Sequence, residues 1–82
     1  MPARFDLHVV ARLLGALARP GTTWSRSRLQ AATRLNYDLF RRYLAMAIEK
    51  GWAIEDESGI RVTPAGEKAW TDLGAWLQRW FG

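Results

Sequence analysis

Four marks of turn chemistry divide this chain: Pro20-Gly21, Gly51, Ser58-Gly59 and Thr63-Pro64. Proline and glycine break regular structure, so every helix or strand must fit between two of these marks. Only short elements result, and short elements are stable only when packed on one another. An 82-residue chain affords one core and one domain, here taken as 1–82. With no cysteine, neither a disulfide scaffold nor a thiolate metal site is possible. The single histidine, His8, leaves no histidine cluster for zinc.

Periodicity fills in the segments. Leu7, Val10, Leu14 and Leu17, with Phe5, Val9 and Leu13, follow the helical repeat over residues 4–18. The run resembles the start of a presequence, but Arg12 interrupts its apolar stretch and Asp6 its leader, so an ordinary helix is expected. No apolar run reaches the roughly 18 residues a membrane span needs. Thr22 to Trp24 read as a brief extended segment, and residues 25–33 as a short helix capped by Ser25. Residues 37–50 form a third helix with Asn36 as N-cap and Gly51 as terminator. On its wheel Phe40, Tyr43, Leu44 and Ala47 share the core side; Asp38, Arg41, Arg42, Ala45 and Glu49 share the other. Residues 52–55 and 60–63 read as two strands joined through Asp56–Gly59. Thr63 then caps a last helix that opens on Pro64, where no N–H is needed.

The order is a helix-turn-helix (25–50), a hairpin (52–63) and a C-terminal helix (64–81). Within it, Leu35, Tyr37, Tyr43, Leu44, Lys50-Gly51, Ile54, Thr63 and Gly66 stand in a pattern that resembles winged helix-turn-helix transcription regulators of the small archaeal type. The likeness runs from Gly21 to Trp70, with Trp52 and Ala47 departing from the usual aliphatic residues. It implies a mainly α fold with a small β-hairpin, the hairpin being the wing. It also implies double-stranded DNA as partner, transcription regulation as role, and a homodimer paired through the C-terminal helix; the absence of cysteine fits a cytoplasmic setting.

Charge agrees with the DNA partner. Ten of the twelve basic residues are arginine, whose planar fork matches phosphate and guanine edges. Residues 1–50 carry +6 and residues 51–82 carry −2. In the implied arrangement helix 36–50 enters the major groove, with Arg41, Arg42 and Asp38 at the bases. Arg26, Arg28, Arg34 and Tyr37 hold the phosphate backbone. Glu55, Asp56 and Glu57 at the hairpin, with Arg61 the one base nearby, oppose it, because phosphate repels carboxylates.

Tryptophan supplies the other surface. Trp24 and Trp52 are expected in the core. Trp70, Trp76, Leu77, Trp80 and Phe81 outnumber what so small a core can cover, so with Phe5 and Val9 they are expected at a dimer seam. Two rival readings stay open: a protein-interaction module using the acidic hairpin or the Trp-rich helix, and a weakly specific chromatin-type DNA binder. No catalytic grouping, cofactor motif or metal-ligand spacing is visible, so an enzyme is not expected.

Overall fold

The computed structural model describes residues 5–80 and the backbone of Phe81. The elements are α1 (Leu7–Leu17), α2 (Arg26–Thr33), α3 (Tyr37–Glu49), β1 (Ala53–Asp56), β2 (Gly59–Val62) and α4 (Pro64–Phe81). The chain is therefore mainly helical with one antiparallel hairpin. No helix among the described residues is long and apolar enough to cross a membrane.

Helix α1 starts at Leu7, so Phe5 and Asp6 stand before it, and residue 4 of the expected helix lies outside the described residues. Asp6 is extended, and its carboxylate accepts the His8 N–H at 2.8 Å, which caps the helix there. The Asp6 N–H donates to the Tyr43 hydroxyl at 2.6 Å, and the Phe5 ring stands edge-on to Tyr43 with centroids 5.1 Å apart. The head of α1 is thus tied to α3. Ser25 and Asn36 cap α2 and α3 as expected, accepting from the Arg28 and Leu39 amides at 3.2 and 2.9 Å.

The buried stripe of α1 (Val10, Leu13, Leu14, Ala16, Leu17) meets a stripe of the same spacing on α3 (Phe40, Tyr43, Leu44, Met46, Ala47). Leu29, Leu35, Trp24, Ala53 and Ile60 complete one core. Trp24 is buried as expected; Trp52 is only half-buried, packed on the core margin.

The hairpin keeps the pairing that strands 52–55 and 60–63 imply, Glu55 opposite Ile60, but its ladder ends lie one residue nearer the turn, losing Trp52 and Thr63 and gaining Asp56 and Gly59. Ala53 faces Val62 and Asp56 faces Gly59, leaving Glu57-Ser58 as a two-residue turn. Two bonds account for the shift. The Trp52 N–H is taken by the Ala47 carbonyl at the exit of α3, at 2.8 Å. The Asp56 carboxylate accepts the Ser58 N–H at 2.8 Å and tightens the turn. The segment before α2 adds a single bridge: Trp24 and Ile60 exchange N–H···O bonds of 2.9 and 2.8 Å. A Cβ on Gly59, whose φ is +125°, would lie 2.6 Å from the Trp24 carbonyl oxygen, so only glycine permits this approach.

Thr63 locks the hairpin to α4. Its N–H donates to the Trp52 carbonyl at 2.9 Å; its hydroxyl accepts the Gly66 N–H at 3.0 Å and donates to the Gly51 carbonyl. Gly66 is required because a Cβ there would collide with the Trp52 carbonyl. From this junction α4 runs along α1, burying Gly66 and half-burying Ala69 and Leu73.

Candidate functional site

Five exposed arginines, Arg26, Arg28, Arg34, Arg41 and Arg42, gather on two adjoining helices and the turn between them, while exposed Arg19 and Arg79 lie after α1 and on α4. The caps and core stripe of α3 fix its rotation. With Phe40, Tyr43, Leu44 and Ala47 inward, Tyr37, Asp38, Arg41, Arg42, Ala45 and Glu49 all face solvent. Arg41 makes only a loose contact with Asp38, 3.9 Å one turn earlier. Arg42 has no ion pair among the described residues. Tyr37, 57% exposed, stands at the start of the same helix.

Arg28 is exposed on α2. Arg34 follows α2 in the left-handed region (φ 59°, ψ 26°), and its N–H closes the helix on Ala31 and Gln30. This residue sets the turn that aims α3.

Arg26 differs from the other cations. Its Nε and Nη2 donate to the two Glu55 carboxylate oxygens at 2.8 and 2.7 Å, a paired bridge from α2 to β1. The hydrogen bond from Arg26 holds the Glu55 carboxyl below its usual range, and the same bond raises Arg26. Five N–H donors serve a guanidinium, so three remain for another acceptor.

The acidic hairpin is largely compensated. Arg61 Nη2 sits 2.9 Å from Asp56, and its hydrogen bond, helped by the Ser58 N–H, lowers the Asp56 pKa. Glu57 alone of the three carboxylates has no ion pair among the described residues. The sequence reading takes Arg61 as the one base near these carboxylates; the structure adds Arg26, bonded to Glu55. Pairings across 29 and 5 positions leave no trace in local periodicity.

The residues expected at a dimer seam do not share one surface. Phe5 turns toward α3, and Val9 packs on the core. The α1 side chains that border α4 are instead Leu7, Val10 and Leu14, lining a groove of about 460 Å³ with Trp52, Ala69 and Leu73. Trp70 lies over Gly15, whose Cβ position is 3.1 Å from the indole edge, so part of its surface is used within the chain. Leu77 is half-buried. Trp76 and Trp80 stay exposed, ring centroids 6.4 Å apart, with Trp80 at 64%. Phe81 has its side chain outside the described residues. Lys50, which sequence reasoning left out of the site, reaches over the Trp52 ring at 5.8 Å.

Among the described residues no group of three His, Cys, Asp or Glu could hold a metal ion. Set against known protein families, curated proteins and solved structures, the chain matches none of them.

Proposed function

We propose that this chain is a winged helix-turn-helix protein that binds double-stranded DNA as a homodimer and regulates transcription. The observation that carries the reading is the solvent face of α3, where Arg41 and Arg42 stand exposed with Arg28 and Arg34 on the adjoining helix and turn. A helix of this length fits the major groove, and an arginine there donates two bonds to guanine O6 and N7. Arg28, Arg34 and Tyr37 then hold phosphates. Arg26 joins them with its three remaining N–H groups while still bonded to Glu55. That pairing removes much of the repulsion the hairpin carboxylates would exert. Homodimerisation rests on the C-terminal turns of α4, where Trp76 and Trp80 leave apolar surface in solvent. No step in this reading is catalytic.

Selection of bound duplexes from a random pool tests it. A preferred sequence should emerge, and Arg41→Ala should flatten the preference at its position by about 1–3 kcal/mol. Arg28→Ala should weaken all sequences alike. Equal losses on every sequence for both variants would sink this division of labour, and binding with no preferred site would favour the chromatin-type rival. The exposed indoles of α4 favour a second reading, a protein-interaction module. Indifference to DNA at low salt would support it.

A further inference from the structure

Beside the exposed face of α3 lies a cleft of about 380 Å³ that DNA binding does not explain. Its apolar wall is the Phe5 ring set edge-on to Tyr43, continued by Met46. Its rim carries Arg41, Arg42 and Lys50 against a single carboxylate, Glu49. The wall is built rather than incidental: Tyr43 and Met46 are buried, and the Asp6 N–H bond to the Tyr43 hydroxyl holds residue 5 where it closes the cleft. Arg41 is held only by the 3.9 Å contact to Asp38, Lys50 lies over Trp52, and Arg42 has no ion pair among the described residues. The volume is at the low end for small-molecule sites, which are typically about 300–1,000 Å³.

An apolar wall under an excess of cations selects a compact ligand with an apolar body and one negative charge. We propose that this cleft binds small aryl- or alkyl-carboxylates, the ring or chain against Phe5, Tyr43 and Met46 and the carboxylate on Arg42. A guanidinium and a carboxylate form two parallel N–H···O bonds, which fixes the orientation and discriminates against neutral analogues. Resting on the DNA reading of α3, the proposal has a consequence: an occupant uses Arg42 and stands in front of Arg41, so carboxylate and DNA exclude each other.

The test uses 4-phenylbutyrate as probe, with its neutral amide and sodium acetate at matched ionic strength as controls. Met46 and Met1 are the chain's two methionines, so a methyl-labelled sample gives Met46 a resolvable signal. Phenylbutyrate should shift the Met46 methyl saturably, and the amide and the Arg42→Gln variant should each bind about tenfold more weakly. Arg28→Gln, outside the cleft, should bind like the parent. A Met46 signal that does not saturate, or an amide that binds as well as the acid, overturns the proposal. Duplex binding is read separately. Phenylbutyrate should weaken it in the parent chain and not in Arg42→Gln. Saturable carboxylate binding without competition, or with no DNA binding at all, upholds the cleft and contradicts the DNA reading of α3.

Discussion

Arg34 holds a left-handed backbone that disfavours any side chain with a Cβ, by about 1–2 kcal/mol. Glycine at this position removes that strain, although a more flexible unfolded chain offsets part of the gain. Arg34→Gly is therefore expected to keep or raise the melting temperature while lowering the slope of log affinity against log salt by about 0.9. A variant that unfolds earlier would show that the side chain, not the turn, matters for stability. Glu55 gives the complementary case. Its folded-state pKa lies below the ordinary 4.5 because of the Arg26 hydrogen bond, so its contribution is full above pH 4.5 and is lost as pH falls through the folded value. Both side chains are substantially exposed, so screening keeps that contribution to about 0.5–1 kcal/mol. Denaturation of Glu55→Gln beside the parent chain should show that gap at pH 7 and none well below pH 4.5. The same substitution removes a negative charge next to Arg26, so duplex affinity should rise. At this scale the caps were legible because they are local: Ser25 and Asn36 each bond three residues ahead. The Arg26–Glu55 and Asp6–Tyr43 contacts were not, since they join positions 29 and 37 apart that only the packed core brings together.

Elements are held in place by a few junctions, of which Thr63–Gly66 is the tightest. The Thr63 hydroxyl serves Gly66 and Gly51 at once, and α4 approaches the Trp52 carbonyl more closely than any Cβ allows. Gly66→Ala should cost about 3 kcal/mol, as overpacking against rigid backbone does. Gly74→Ala provides the contrast within the same helix. Nothing lies within 4 Å of a Cβ at Gly74, so alanine there should stabilise by about 0.5–1 kcal/mol. Urea denaturation of both variants checks the pair, and similar effects of one sign would contradict the close approach at Gly66. Periodicity and turn residues made the four helices and the hairpin legible. The pairing of the two strands was legible from the turn, whereas the ends of the ladder were not, because hydrogen bonds rather than side-chain alternation set where so short a ladder stops. The Trp52 N–H bond to the Ala47 carbonyl and the Ser58 N–H bond to the Asp56 carboxylate set those ends.

On the scale of the molecule, the arginine face of α3 and the indoles of α4 are separate demands on one small globule. Burying Trp76 and Trp80 against a second copy would relate two α3 helices by a two-fold axis, and helix-turn-helix dimers of that symmetry read half-sites about 34–36 Å apart. Sedimentation of the parent chain should then show a dimer, and Trp80→Lys should shift it to monomer and weaken duplex binding without unfolding the domain. A monomeric parent would contradict the pairing. An excess of indole was readable in the sequence. That Trp70 lies over Gly15, with Phe5 turned toward α3, was not, because helix rotation depends on neighbours. An α3 face that meets nucleic acid is tested by binding to a labelled mixed-sequence duplex of about 30 base pairs across a salt series. Log affinity should fall linearly with log salt, at about 0.9 per phosphate neutralised. No binding at low salt, or binding indifferent to salt, would contradict it.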